Sequence, residues 1–451
     1  MMPRHIHSVL AIVVVALCVR PVGAEEAKAG FDLTLQDALT RALARHPSVA
    51  RAQALGARAQ AGMRQARAAW FPTLQINGGV HQYEEPMIAW PIHRFDFAAI
   101  PPFDQTLIQG SLQLDYTLLD GSRGARIRQA KQKSEAASRG TDASEQRLLA
   151  SVVAGYLSVL SAEELVRAHD RRHEALTLEL DRVRQLHAVG RAADVEIARA
   201  EAALAGAEAD RVQVRGRLDV ARRDLARMLG ESPDIMMSTQ LYPVSLTDDA
   251  EMNPQVSMAV ALASNPEYLA QQSELRAAEA GRSAARGARW PSVSLRGQLT
   301  EYRDGNGNQT NEWNAAAMIG LPIFTGGMIS GRVSEADAAY RIALEDLRLA
   351  EDRITADVDR AVAQVRESHA RVESLMRAVA SLEEVVRIEK LRLDTGSHTQ
   401  TDYLQAEAEL LAARAGLIEA RHAEMLAHTT LARVTGVLSL DWIDQTLEQN
   451  R

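Results

Sequence analysis

Residues 291–327 read PSVSLRGQLTEYRDGNGNQTNEWNAAAMIGLPIFTGG. Val293, Leu295 and Leu299 alternate with Ser294, Arg296, Gln298 and Thr300. After a break rich in Gly and Asn, Trp313, Ala315, Ala317, Ile319, Leu321 and Ile323 interleave with Asn314, Ala316, Met318 and Gly320. A period of two gives a strand one apolar and one polar face, so the stretch predicts a strand pair at about 291–302 and 312–323. Beyond Gly326 and Gly327 the period changes. Val358, Val365, Val372, Val379, Val386 and Leu393 recur every seven residues, interleaved with Ile354, Ala361, Leu375 and Leu382. That is a coiled-coil stripe on one very long helix, about 327–394, and it demands partner helices alongside.

The same order of signals occurs earlier in the chain. Ala42-Leu43-Ala44-Arg45-His46-Pro47 returns as Ala261-Leu262-Ala263-Ser264-Asn265-Pro266, and Trp70 with Pro72 returns as Trp290 with Pro291. Leu118-Leu119-Asp120-Gly121 matches Ile323-Phe324-Thr325-Gly326, Gly190 matches Gly396, and Gly230 matches Gly436. The chain is a tandem duplication. Each half predicts a short helix (34–45, 256–264), a medium helix (48–69, 267–289), a strand pair, a very long helix (121–188, 327–394) and a closing helix (192–229, 398–435). First-half strands are expected at about 72–84 and 107–119, where Leu74 and Ile76, then Leu112, Leu114, Tyr116 and Leu118, mark the apolar face. At 1.5 Å per residue the long helix reaches roughly 100 Å, close to the medium and closing helices stacked end to end. The expected divisions are a first repeat at 25–230, a linker at 231–255, a second repeat at 256–436 and a tail at 437–451.

Composition narrows the function. Residues 1–24 carry a basic start at Arg4, an apolar run from Val9 to Val19 and a small-residue cleavage site at Val22-Gly23-Ala24, which predicts a secretory signal. The sole cysteine, Cys18, leaves with it, and the preceding Leu17 is too large for a lipoprotein signal. No disulfide, thiolate chemistry or Cys-ligated metal is therefore expected in the mature chain. The formal net charge of −8 argues against nucleic acid as a partner. After Ala24 no apolar run of about 18 residues is evident, so no membrane-spanning helix is expected.

The strands admit two readings. One is a soluble four-stranded sheet with one face packed on helices. The other is part of a transmembrane β-barrel, favoured by the secretory signal, by strands of about ten residues and by aromatics near the strands, among them Trp70, Phe71, Tyr83, Trp290, Tyr302, Trp313 and Phe324. Four strands cannot close a barrel, so the second reading needs several chains.

With its duplicated order of helix, Pro, strand pair, glycine turn, long helix, tip Gly and closing helix, the chain resembles the outer-membrane efflux channel family from about Leu33 to Gly436. The resemblance implies a mainly α fold with a four-stranded antiparallel membrane β element. It implies a homotrimer, with a β-barrel in outer-membrane lipid continuing into a long α-helical coiled-coil barrel through the periplasm. It also implies docking to a periplasmic adaptor and an inner-membrane pump, no cofactor, and a passive conduit for efflux or type I secretion. Carried onto this sequence, the adaptor-docking tips fall at Val189-Gly190-Arg191 and Thr395-Gly396-Ser397, where Arg191 departs from the family's small apolar residue. The entrance constriction falls at Asp402 and Gln405; the second position is acidic in the family, so one carboxylate ring would remain. The helix-terminus alternative for Asp402 is a capping or dipole-stabilising carboxylate. Expected barrel-lumen residues are Gln113, Asp115, Ser294, Arg296 and Gln298, with Arg296 either tuning the lumen or pairing with a carboxylate.

No metalloprotease, nucleophile-elbow or phosphate-loop motif stands out, and no enzyme is expected. His169 and His173 are spaced for a metal, but Arg167, Arg171 and Arg172 beside them favour a solvated helix face. Residues 84–106, with Trp90, Phe95, Phe97, Pro101 and Pro102, predict a long loop at the barrel mouth. The competing functional class is a periplasmic coiled-coil scaffold or adaptor, which should carry one helical hairpin between lipoyl-like half-motifs, whereas this chain has two equivalent hairpins.

Overall fold

Caps and prolines decide where the helices begin. In both repeats a proline opens the medium helix at a position where its missing N–H costs nothing. The residue before it caps that helix: His46 Nδ1 accepts from Ser48 N, and Asn265 Oδ1 accepts from Glu267 N and Tyr268 N. The structure is a computed structural model and describes residues 32–85, 105–247, 254–395, 397 and 399–449. The expected signal segment, most of the loop expected at 84–106, and Gly396 lie outside the described residues.

In chain order the first half contains β1 (Asp32–Leu33), α1 (Leu35–Arg45), α2 (Pro47–Ala68), β2 (Thr73–Gln82), β3 (Thr106–Leu119), α3 (Arg123–Ala188) and α4 (Asp194–Leu229). A connecting region holds α5 (Pro233–Met237), β4 (Gln240–Leu241) and β5 (Val244–Leu246). The second half contains α6 (Pro254–Ser264), α7 (Pro266–Gly287), β6 (Ser292–Asp304), β7 (Gln309–Gly320), α8 (Met328–Asp394) and α9 (Gln400–Thr435), followed by α10 (Leu440–Thr446) and β8 (Leu447–Gln449). Helices α3 and α8, of 66 and 67 residues, each extend about 100 Å. Helix α3 packs against α2 and α4 and, on its other flank, against α7 and α9, which in turn pack on α8. The result is an elongated helical wall with the sheet β2-β3-β6-β7 at one end and the two hairpin turns at the other.

The main core lies midway along this wall. Leu148, Val152, Val153, Tyr156 and Leu157 of α3 pack with Leu35 and Leu39 of α1, Leu225 and Leu229 of α4, and Leu438 and Ile443 near the C-terminus. The Tyr156 hydroxyl, fully buried, lies 2.9 Å from the Leu33 carbonyl and 2.8 Å from that of Tyr242, so it anchors the parallel pair β1-β4. Pairing of β5 with β8 ties the connecting region to the C-terminal tail. The expectation that nothing after Ala24 is apolar enough to cross a membrane needs correction: α3 contains one stretch that passes by length and composition. Its apolarity has a different use, because the residues from Leu148 to Leu160 form this core.

The coiled-coil stripe of α8 is buried at Val358, Val365 and Val372 and only half-buried at Val379, Val386 and Leu393. Packing within one chain therefore thins toward the turns. At the sheet end, the turn into α3 crosses the end of α7 so closely that a Cβ on Gly287 would stand 2.3 Å from the Gly121 carbonyl oxygen. Only glycine fits there, and the contact fixes the angle between sheet and wall.

Candidate functional site

Register makes the sheet two-faced. Leu114 lies opposite Leu74 on β2 and Gly297 on β6, while Leu112 pairs with Ile76 and Leu299, and Leu299 pairs with Trp313. These residues share one face, and Leu74, Ile76, Leu112, Leu114, Leu299 and Trp313 are all exposed in the single chain. The opposite face collects Gln113, Asp115, Ser294, Arg296 and Gln298. Asp115 is opposite Arg296, and Gln113 opposite Gln298. Arg296 Nε donates to Asp115 Oδ1 at 2.7 Å and Gln113 Nε2 to Asp115 Oδ2 at 2.6 Å, so the paired alternative for Arg296 is the one observed. The Gln298 amide reaches Thr300 Oγ1 at 3.2 Å. In the second hairpin the strands run past the expected 302 and begin before 312, because Asp304 Oδ1 accepts from the N–H groups of Asn306 and Asn308 and closes a tight turn. The outer edges of β2 and β7 have no strand beside them among the described residues.

At the far end, Val189-Gly190-Arg191 closes α3. Gly190 takes φ +74°, its N–H donates to the His187 carbonyl at 2.9 Å, and the Arg191 N–H donates to the Leu186 carbonyl at 2.8 Å. That is a Schellman closure, and it leaves Val189 and Arg191 exposed to solvent. The second turn shows the same long-range bond, Ser397 N to the Arg392 carbonyl at 2.9 Å, while the Thr395 hydroxyl donates to Leu391 and Arg392 carbonyls.

Helix α9 starts immediately after. Thr399 caps it: Thr399 Oγ1 accepts from Asp402 N at 3.3 Å, and Asp402 Oδ2 accepts from Thr399 N at 3.1 Å and from the Thr399 hydroxyl at 2.6 Å. The Asp402 carboxylate is thus engaged in a capping box. Gln405 faces along the same helix, donating to Glu409 at 3.0 Å.

Beside this helix start lies a polar node that spacing alone does not reveal. Glu179 of α3 is 7% exposed and accepts two bonds of 2.8 Å from Arg182 and one of 3.3 Å from the Gln400 amide. The buried Tyr403 hydroxyl donates to Glu407 at 3.1 Å, and burial, reinforced by the Glu407 carboxylate, holds this phenol neutral far above neutral pH. Arg199 of α4 donates to the Thr401 hydroxyl at 2.8 Å. The start of the second closing helix is therefore clamped by both long elements of the first hairpin.

The paired histidines behave as helix-packing groups. His173 Nε2 lies 3.0 Å from Glu208. Burial, assisted by Arg172 against the pull of Asp210, holds the His169 imidazole below its usual pKa, with Nδ1 buried and without a partner. Among the described residues no group of three or more His, Cys, Asp or Glu is arranged to hold a metal ion.

A family profile described as "Outer membrane efflux protein" matches residues 38–231 and 258–437. The "Outer membrane efflux protein BepC" of Brucella suis biovar 1 is 24% identical over 312 residues, covering 68% of this chain and 66% of that protein. The "Proteases secretion protein PrtF" of Dickeya chrysanthemi is 23% identical over 379 residues, covering 83% of this chain and 81% of that one. Among solved structures, the outer membrane protein VceC of Vibrio cholerae superposes with a TM-score of 0.75 at 20% identity, over 89% of this chain and 96% of VceC.

Proposed function

The chain belongs to the outer membrane efflux protein family, and from that premise we propose that three copies join their sheets into one barrel and their helices into one tunnel. The protein is an outer-membrane channel for efflux or type I secretion, and it extends into the periplasm. The observation that carries the trimeric reading is the sheet itself. It has an exposed apolar face, a polar face bearing the Asp115–Arg296 pair, two open edges and four strands, too few to close alone. Three sheets edge to edge give twelve strands, with lipid outside and the polar face lining the lumen.

At the other end, the turns 189–191 and 395–397 are the surfaces offered to a periplasmic adaptor, below which an inner-membrane pump selects the substrate. Asp402 and Gln405 lie at the entrance to the tunnel. Asp402 stays exposed beside its capping box, so three copies brought together contribute three carboxyl groups there. The channel acts passively, by shape and charge, without chemistry of its own.

The test is mass measurement in mild detergent, combined with conductance across a planar bilayer. A particle of about three chain masses that conducts supports the reading. A stable monomer that leaves with the periplasmic fraction supports the scaffold alternative.

A further inference from the structure

Charge is sorted along the length of this molecule. The eleven residues of α2, α3, α7 and α8 nearest the sheet (58–68, 123–133, 276–286 and 328–338) contain twelve Lys or Arg and three Asp or Glu. The eleven of α3, α4, α8 and α9 nearest the turns (178–188, 194–204, 384–394 and 400–410) contain six Lys or Arg and eleven Asp or Glu. The basic excess is steepest at the start of α3, where Arg123, Arg126, Arg128, Lys131 and Lys133 fall within eleven residues and the first turn holds no acid. A helix N-terminus is the positive end of the backbone dipole and favours acids; Asp120, just ahead of the helix, accepts from Ser122 N and pairs with Arg126, and one carboxylate does not balance the five bases that follow.

A cleft of about 420 Å³ opens between α3 and α7, lined by Arg128, Lys131, Gln132, Arg276, Glu279 and Ser283. Arg128 and Lys131 have no hydrogen bond or ion pair among the described residues, and Gln132 Oε1 is buried without a partner. A side-chain amide presents a donor or an acceptor according to its flip, so Gln132 can serve a phosphate as readily as water. By contrast, Arg126, Arg282 and Arg286 are occupied with Asp120 and Asp337. Arg128 and Lys131 face this one cleft, and Arg276 across from them donates to the Gln272 side chain at 3.0 Å, a neutral partner that leaves its charge uncompensated.

Its basic side chains start at the lower edge of a headgroup layer and reach up toward it. The sheet meets the wall at exposed Trp70 and Trp290, residues suited to the membrane interface, with the Arg123 guanidinium 4.6 Å from the Trp70 ring centroid. Counting 1.5 Å per residue, Arg128 lies about 8 Å and Lys131 about 12 Å below the start of α3, and Arg276 about 16 Å below the sheet end of α7. The headgroup region is roughly 5–8 Å thick on each side of the hydrocarbon, and long basic side chains reach upward into it.

We propose that the α3–α7 cleft of Arg128, Lys131 and Arg276 binds the phosphate of an anionic phospholipid in the inner leaflet of the outer membrane, anchoring the wall at a fixed depth. The proposal rests on the reading that the sheet lies in the membrane. Arginine supplies paired N–H donors to phosphate oxygens, lysine a point charge, and each adds to the attraction of the lipid surface.

The channel purified in detergent is incubated with phosphatidylglycerol or phosphatidylethanolamine, and lipid retention is read by native mass spectrometry, alongside insertion into phosphatidylethanolamine vesicles. Wild type should retain phosphatidylglycerol preferentially. The triple variant Arg128→Gln, Lys131→Gln, Arg276→Gln should lose roughly a hundredfold in its affinity. A charge-matched control far from the sheet, Arg348→Gln, Arg360→Gln, Arg387→Gln, should behave as wild type. Equal retention of both lipids, a triple variant that binds as wild type, or full displacement by millimolar inorganic phosphate overturns the proposal. If neither wild type nor variant enters vesicles, the barrel reading itself fails; entry without lipid preference defeats only the cleft.

Discussion

The two ends of the wall solve opposite problems. At the sheet end, a two-faced surface is held by backbone bonds, by the glycine contact Gly121–Gly287 and by Arg123, whose guanidinium donates to the Thr117 carbonyl and lies over Trp70. At the turn end, backbone bonding is local, exposed apolar residues such as Leu178, Val189 and Leu391 are scattered singly among polar ones, acids outnumber bases, and the parts are joined by side-chain bonds such as Glu179–Gln400 and Arg199–Thr401. The sheet end is built to be permanent. The turn end is built from contacts that can be exchanged one by one.

The largest effect should come from crossing the two faces of the sheet. Leu114→Arg places a charge on the apolar face at a cost of about 2–4 kcal/mol per chain near mid-membrane. Gln113→Arg, one residue away on the polar face, should be tolerated. Trimer yield from detergent-extracted outer membrane reads the difference; equal yields would mean that the sheet has no lipid face.

Next is the first turn. Gly190→Val forces a β-branched residue toward φ +74°, a strain of about 1–3 kcal/mol confined to the closure. Export should be lost while trimers still reach the outer membrane, and Gly396→Val should do the same. Loss of folded trimer in either variant would show that the turn is structural rather than a docking surface.

A smaller change should distinguish the two hairpins. Glu179→Gln removes the charged partner of Arg182 and weakens the bond to Gln400, a loss of about 1 kcal/mol. Amide exchange should then quicken over 400–410 and stay unchanged over 194–204, since only the second closing helix is clamped through this carboxylate. Uniform quickening would mean that the node supports the whole tip. The smallest effect concerns selectivity. Asp402→Asn keeps an acceptor for Thr399 but removes charge, whereas Gln405→Asp adds it, so cation selectivity in planar bilayers should fall in the first and rise in the second. No shift from either places both residues away from the pore axis.

What the sequence revealed follows from what is periodic in it. Strands with one apolar face announce themselves through Leu112, Leu114, Leu295 and Leu299, and the heptad valines of α8 mark a buried seam even where it thins toward Leu393. Gly190 was legible because few residues accept a positive φ at a helix end. Contacts between repeats have no period: Glu179 and Gln400 are 221 residues apart, and neither stands out in its own helix. The basic start of α3 was hidden differently, since a net charge of −8 averages a positive end with a negative one. In α3 the apolar stretch around Val152 looks membrane-like only until Leu35, Leu229 and Leu438 are seen to cover it.

The open edges of β2 and β7 also govern how such a protein can be made. In hydrocarbon, each backbone group left without a partner costs several kcal/mol, and two edges of ten and twelve residues carry many of them. A solitary chain is therefore excluded from the bilayer by its own sheet, however apolar the outer face. Helices can fold on each chain separately, because their bonds are internal, but on the proposed trimeric reading membrane entry waits for three chains to meet. On that reading biogenesis ends in an association step, sensitive to the supply of unassembled subunits. Until that meeting each subunit must keep Leu74, Ile76 and Trp313 away from other surfaces, so overproduction should yield aggregates before it yields surplus channels.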